Sequence, residues 1–189
     1  MKISMALVTL TVLSGGVYAE DISKYQEESR AAVMPFLKKL AAENQKAMST
    51  GGAESAIQVC KDIAPAMTGE ISRQTGWKVA RVSLKVRNPL LGTPDAWEQK
   101  TLQDFESRAA KGENPGEIES SEIVEEPAGK SFRFMKAIVL QPGCVACHGQ
   151  AELLSAEVKA RLNTEYPHDK ATGYSVGQIR GAVTVKRPL

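Results

Sequence analysis

The sequence predicts an α+β fold, built from an antiparallel sheet with helices on one side. The predicted elements follow the order helix, helix, strand, helix, strand, strand, helix and strand, and consecutive strands set apart from the helices are typical of this class. The chain has 189 residues, no internal repeat and no low-complexity segment, so we expect one folded domain.

Residues 1–19 have the three parts of a secretory signal peptide. Lys2 provides the positive start, residues 3–13 form an apolar run, and Ala19 is a small residue at the expected cleavage position. The apolar run is shorter than the roughly 20 residues that a membrane-spanning helix needs. We therefore expect cleavage after Ala19 and an exported, periplasmic domain of residues 20–189 without a membrane span.

Two helices are predicted at the start of this domain. Residues 21–50 form the first, which Pro35 should kink and which Gly51-Gly52 should stop. The second covers residues 54–74, and Pro65 should kink it in the same way. Apolar residues recur along the second helix at steps of three or four, so they share one face: Ile57, Cys60, Ala64, Met67 and Ile71.

The rest of the chain predicts four strands and two further helices. Thr93 followed by Pro94 is typical of a helix start, with the threonine as N-cap and the proline at the first helical position. Asn88-Pro89 and Gly92 indicate a loop before it. The predicted elements are strand 77–86, helix 93–110, strand 117–124, strand 131–140, helix 153–163 and strand 178–187.

The charge pattern argues against nucleic acid as a partner. The net charge is +2, and residues of both signs are interspersed along the chain, with only a short basic stretch at its end. Binding to nucleic acid or to an anionic membrane surface favours a basic block or face. We therefore expect neither, while the physiological redox or signalling partner is not identified by the sequence.

Residues 140–150 read LQPGCVACHGQ and carry a specific chemical pattern. Cys144 and Cys147 are three positions apart, so both lie on one side of a helical turn. This spacing suits two thioether bonds to the two vinyl groups of one haem, and His148 follows closely enough to bind the iron. Together with the export signal, the pattern predicts one covalently bound haem c with His148 as the proximal ligand.

Other uses of these cysteines fit the sequence less well. A structural zinc site would need further ligands, and only Cys60 and His168 remain. A thioredoxin-like pair is expected after a strand and at the start of a long helix. A structural disulfide across two intervening residues is uncommon. Cys60 is then an odd thiol in an oxidising compartment, where it must be sheltered or used.

The residues alone leave the second axial ligand open. Many small electron-transfer cytochromes use a methionine after the haem motif, but no methionine follows His148 here. The candidates are Cys60, His168, Met67 and an open coordination position. Cys60 and Met67 share an apolar helix face, where each fits an ordinary core residue equally well. His168 lies in the polar segment YPHDK, where it also fits a solvated loop residue.

Four segments of the chain resemble the Tll-like family of exported monohaem c proteins: AIQVCKDIAPAM, SLKVRNPLLGTPDAWE, CVACHG and YPHDKATGYSVGQIRGAVTV. The resemblance extends from about residue 25 to residue 187. It implies a PAS-like antiparallel sheet with N-terminal helices, related to sensor regions of histidine kinases. It also implies haem attachment through Cys144 and Cys147 and axial ligation by His148 and Cys60. It assigns no ligand role to His168.

A haem with His and Cys ligands predicts a role in redox or diatomic-gas sensing. A thiolate stabilises Fe(III) and lowers the reduction potential within the roughly 0.8 V that axial ligands span. Reduction weakens this advantage, so Cys60 could leave and free a position for a gas. The alternative is periplasmic electron transfer, in which both ligands stay bound. A peroxidase needs an open site with acid–base groups, and His168 is the only spare histidine, so we do not expect an enzyme.

Haem propionates usually pair with Arg, Lys or Tyr side chains. Four residues in the matching segments have the right chemistry: Arg87, Arg180, Tyr174 and Lys85. Each of them fits an ordinary surface charge or a residue at the edge of a sheet equally well.

Overall fold

The computed structural model describes residues 15–189. Residues 1–14, which hold most of the predicted signal peptide, lie outside the described residues, so cleavage after Ala19 stays a prediction. None of the described helices is both long enough and apolar enough to span a bilayer. The elements in chain order are α1 Gly15–Gln58, a π-helical turn Val59–Ile63, α2 Ala64–Thr75, β1 Lys78–Val82, α3 Pro89–Gly92, α4 Ala96–Ala110, β2 Glu119–Glu126, β3 Gly129–Val139, α5 Val145–His148, α6 Ala156–Glu165 and β4 Ile179–Pro188.

The four predicted strands form one antiparallel sheet with the order β1-β4-β3-β2, so the α+β class is confirmed. β2 and β3 form a hairpin, in which Glu126 pairs with Gly129. The last strand, β4, inserts between β1 and β3 and joins the two halves of the chain. The first strand ends at Val82, earlier than the pattern predicts. The chain turns at Ser83, whose hydroxyl donates to the carbonyl of Arg180 at 2.7 Å and lies 3.1 Å from the carbonyl of Lys85.

Helices cover both faces of the sheet, whereas the element order predicted one side. On one face α1 contributes Val33 and Phe36 to a core with Phe134 of β3. On the other face α4 contributes Leu102 and Phe105 to a second core. All seven residues 131–137 of β3 are buried, as expected for a strand that is covered on both faces.

The two predicted N-terminal helices meet at a break where sequence analysis placed it. Gly51 (φ −143°, ψ 16°) and Gly52 (φ 67°, ψ −164°) leave the helical region, and the left-handed φ of Gly52 favours glycine. The backbone stays helical through Pro35. Before Pro65 the chain forms the π-helical turn, in which Ala64 N–H donates to the carbonyl of Val59. A proline cannot donate to the carbonyl four residues earlier and clashes with it, and a wider turn relieves both problems.

The start of α4 differs from the prediction. Asp95, not Thr93, is the N-cap: its carboxylate accepts from Glu98 N–H, and the Glu98 carboxylate accepts from Asp95 N–H. This reciprocal arrangement satisfies two free N–H groups. Thr93 instead donates its hydroxyl hydrogen to the carbonyl of Pro89 and follows the short helix α3, which occupies part of the predicted loop.

A third apolar cluster packs the segment of the CVACH motif against the end of α1 and against α6. Ile57, near the end of α1, packs with the buried Cys147 and with Leu154, Val158 and Leu162 of the segment that includes α6. This packing holds the motif against the stretch of chain that carries Cys60, although the two are far apart in sequence.

Candidate functional site

A cavity of about 1070 Å³ lies between the second half of α1, the π-helical turn, the sheet and the motif segment. This volume is slightly above the roughly 300–1,000 Å³ that is typical of ligand pockets. Cys60, Cys144, Cys147 and His148 all line it, although Cys60 is more than 80 positions from the others. The structure therefore brings together the four residues that sequence analysis proposed as attachment points and ligands.

The walls of the cavity combine apolar surface with positive charge. Their apolar part comes from α1 and from the sheet, and includes Leu37, Leu40, Met48, Val79, Ile138 and Leu140. Five basic side chains also line the cavity, while no Asp or Glu of the described residues does: Lys61, Arg81, Arg87, Lys136 and Arg180. Such a cavity suits a large apolar group that carries negative charge at its edge.

The two motif cysteines are presented by a 3₁₀ turn, Pro142–Cys144, and by the single helical turn α5 that follows it. Burial raises the pKa of Cys147 to about 11, and burial also raises the pKa of Cys144. Both thiols are therefore protonated near neutral pH when no haem is attached to them. Their positions on one turn match the predicted spacing for two bonds to one planar group.

The orientation of the His148 ring is fixed by a contact at its Nδ1 atom. Its Nδ1 is 2.7 Å from the carbonyl oxygen of Ala171 and 3.2 Å from Arg180 Nε. A carbonyl oxygen can only accept, so the shorter contact assigns the hydrogen to Nδ1, which donates it to Ala171, and the longer contact with Arg180 is then not a hydrogen bond. Burial lowers the pKa of His148 well below its usual range, so the ring is neutral. A neutral imidazole that donates Nδ1–H to a carbonyl has Nε2 free as an acceptor, which is the usual arrangement for a metal-ligating histidine. Tyr174 packs edge-on to this ring at 6.5 Å between centroids.

Cys60 lies within the π-helical turn, and two side chains contact it. The amide Nδ2 of Asn44 is 3.6 Å from Cys60 Sγ, and Arg81 Nη2 donates to the Cys60 carbonyl at 3.1 Å. Single π turns inside helices occur frequently at functional sites. Cys60 is half-buried and faces the same cavity as His148, so it differs from an ordinary core residue.

The other two candidates for the second ligand are not brought to this cavity. His168 is exposed and does not line it. Met67 packs instead in the core between α1 and the sheet.

Arg87 links the CVACH motif to the loop that follows α6. Its buried guanidinium pairs with Asp169 at 2.9 Å and donates to the Cys147 carbonyl at 2.6 Å. Ala171, two positions after Asp169 in the same loop, supplies the carbonyl that holds His148. Arg87 therefore ties the motif to the loop that orients its histidine, and its charge is already neutralised by protein.

The remaining propionate candidates differ in position. Arg180 lines the cavity and donates to the Ser83 hydroxyl at 2.6 Å, while its Nε is 3.2 Å from His148 Nδ1. Lys85 and Tyr174 do not line the cavity, and the Lys85 ammonium lies over the Tyr174 ring at 4.8 Å from its centroid. These two residues support Arg180 and the motif from outside.

Three basic residues that line the cavity were not predicted from the sequence. Lys61 follows Cys60 in the π-helical turn, and the other two, Arg81 and Lys136, lie on strands of the sheet. Both pair with Val183 of β4, so they lie in one row across β1, β4 and β3. Two strand spacings of about 4.8 Å place their backbones roughly 10 Å apart. The local signal for Arg81 and Lys136 is a charged residue at a strand position that faces the interior. This signal does not identify the cavity that the strand lines.

The chain is similar to known proteins in both sequence and structure. The family model described as Tll0287-like matches residues 17–188. The structure is similar to one described as the crystal structure of the cyanobacterial heme-protein Tll0287, with a TM-score of 0.63 and 24% sequence identity over 85% of this chain and 95% of that one. No curated protein matches. The shared architecture and the nearly complete family match lead to one conclusion: the chain belongs to the Tll0287-like family.

Proposed function

We propose that the protein is an exported, periplasmic c-type haem protein that binds one haem covalently through Cys144 and Cys147. His148 and Cys60 would hold its iron, and the protein acts as a redox or diatomic-gas sensor. The observation that carries this proposal is the cavity, which has these four residues on its walls together with five basic and no acidic side chains of the described residues. The description of the similar crystal structure as a heme-protein supports it.

The charges of the cavity fit haem. Arg81 and Arg180 line it, and among the described side chains neither has a carboxylate partner; they bond to the Cys60 carbonyl and to Ser83. Loss of water without an anionic partner is costly for a cation, and burial lowers the pKa of the half-buried Arg180 accordingly. Haem presents an apolar ring and two propionates, which would fill the apolar walls and supply the missing anions.

When bound, haem supplies one iron that cycles between Fe(III) and Fe(II) and takes axial ligands. His148, with Nδ1 held by the carbonyl of Ala171, offers Nε2 in a fixed orientation. Cys60 would offer its sulfur from the π-helical turn, about two helical turns after the break at Gly51-Gly52. A segment that combines a π turn with a glycine break has less regular hydrogen bonding than a continuous helix, so Cys60 is the ligand we expect to leave on reduction.

The test of the sensor function is the binding of CO and NO by the wild-type protein. The haem-loaded protein is reduced with dithionite, and absorption spectra are recorded before and after each gas is added. We expect the ferrous protein to lose its sulfur ligand and to bind both gases. A ferrous protein that stays six-coordinate, excludes both gases and cycles reversibly would overturn the sensor proposal and favour periplasmic electron transfer.

The role of Arg180 can be tested by comparing haem-loaded and haem-free protein. Arg180→Met removes a cation that lacks an anionic partner in the haem-free protein, so its unfolding free energy should stay constant or rise. In the haem-loaded protein the same change should lower stability by about 1.5–3 kcal/mol, the range of a hydrogen bond to a charged group. Urea unfolding of both forms measures this difference.

A matched control is Lys61→Met, because Lys61 also lines the cavity but already pairs with Glu165. It should change both forms equally. If Arg180→Met also changes both forms equally, Arg180 is only a structural residue of the β4 segment.

A further inference from the structure

Asn44 and Cys60 are brought together by the helix break. In one straight helix, residues 16 positions apart would be separated by about 24 Å along the axis. Asn44 Nδ2 is instead 3.6 Å from Cys60 Sγ, because the non-helical backbone at Gly51-Gly52 redirects the chain between them. The contact is partly buried, and both residues line the cavity.

We propose that Asn44 is a positioning residue that donates a hydrogen bond to the Cys60 sulfur and so sets how strongly this sulfur donates electrons to the iron. The inference rests on the proposed ligation by Cys60. An amide N–H approaching within 4 Å of sulfur is within the range of a hydrogen bond to that large atom, and hydrogen bonds to sulfur ligands are among the groups that tune iron potentials.

The direction of the effect follows from charge. A donor hydrogen bond withdraws electron density from the sulfur, so the sulfur stabilises Fe(III) less. Asn44 therefore keeps the reduction potential less negative than an unassisted thiolate would make it. It also makes release of the sulfur on reduction easier, because the bond between iron and sulfur is weaker. In this way one residue of α1 adjusts the threshold at which the proposed sensor responds.

The surroundings single out Asn44 for this role. Gln45, the next residue, also lines the cavity and carries an amide, but no hydrogen bond joins it to Cys60 among the described side chains. Lys61, next to the cysteine, directs its ammonium to Glu165. Arg81 contacts the Cys60 carbonyl, not the sulfur. The amide of Asn44 is thus the polar group that the structure places on the sulfur itself.

The experiment compares Asn44→Leu and Asn44→Ala with Gln26→Leu in the haem-loaded protein. Gln26 is an amide residue of the same helix that does not line the cavity and donates to Glu119 instead. Leucine keeps the size of asparagine, and alanine is the best helix former, so at least one variant should fold. We expect both Asn44 variants to show a more negative midpoint potential and a higher Fe–S stretching frequency by resonance Raman spectroscopy. The Gln26 variant should match the wild type in both measurements. A loss of packing alone would not strengthen the Fe–S bond.

Two further results separate this inference from the proposed function. If Cys60→Ala leaves the spectrum of the wild type unchanged, Cys60 is not a ligand and both proposals fail. If Cys60→Ala changes the spectrum while the Asn44 variants keep the wild-type potential and Fe–S frequency, the ligation stands and the role of Asn44 is overturned.

Discussion

Replacement of Cys60 by alanine is expected to remove the low-spin thiolate signature from the ferric EPR and absorption spectra. Cys60 faces the same cavity as His148, and alanine cannot ligate iron. A thiolate is an anionic, strongly donating ligand, so its loss should also raise the reduction potential on the order of 0.1 V or more, within the roughly 0.8 V that axial ligands span. Spectroscopy and potentiometry of the purified haem-loaded variant measure both effects.

Two control variants define the specificity of this result. His168→Ala replaces the exposed rival histidine and should leave both spectra and potential unchanged. Met67→Leu changes a sulfur side chain in the core between α1 and the sheet, away from the cavity, and should do the same. If Cys60→Ala retains the wild-type spectra while His168→Ala changes them, the histidine is the ligand and the proposed thiolate ligation is wrong.

Joint replacement of Cys144 and Cys147 by alanine is expected to abolish covalent attachment of haem completely. Each thioether forms when a thiol adds across a vinyl group: the sulfur bonds to one vinyl carbon, and the thiol hydrogen ends on the other. Without both thiols no such bond can form, so acidified organic solvent should extract any haem from the variant and none from the wild type. Each single variant should keep one bond.

The matched control is Cys60→Ala, which should keep its haem covalently bound because Cys60 has no part in attachment. A loss of folding would not explain the result, because Cys147→Ala removes only one sulfur atom from the cluster with Ile57 and Leu154. Far-UV circular dichroism of the variants checks this point. Covalent haem that persists in the double variant would show attachment elsewhere in the chain.

Much of the fold could be predicted from the sequence, because the signals for strands and for helix breaks depend on neighbouring residues. Alternation and β-branched residues located the four strands, and the Gly51-Gly52 pair located the break in the N-terminal helices. The N-cap of α4 was misplaced from Asp95 to Thr93, since several residues next to a proline can cap a helix and only the hydrogen bonds decide. Coverage of the sheet on both faces was missed because helix packing depends on contacts between distant segments.

Some residues of the candidate site could likewise be predicted from local spacing, whereas others are brought to the site only by tertiary contacts. Cys144, Cys147 and His148 were recognisable because their chemistry depends on spacing within one turn. Arg87 was proposed from the sequence as a propionate contact; it lines the cavity, and its guanidinium pairs with Asp169. Arg81 and Lys136 could not be found, because nothing local shows that they share one row with Val183 and face the same cavity.

The sequence by itself determined the four strands, the break in the helices and the two cysteines and histidine of the motif, because each depends on the preferences and spacing of neighbouring residues. Only the tertiary structure decided that Cys60 faces His148's cavity, that His168 does not, and that Asn44 reaches the Cys60 sulfur. These relations depend on how the glycine break, the π-helical turn and the central strand β4 bring distant segments together. Packing of the whole chain specifies such contacts, and no short stretch of residues encodes them.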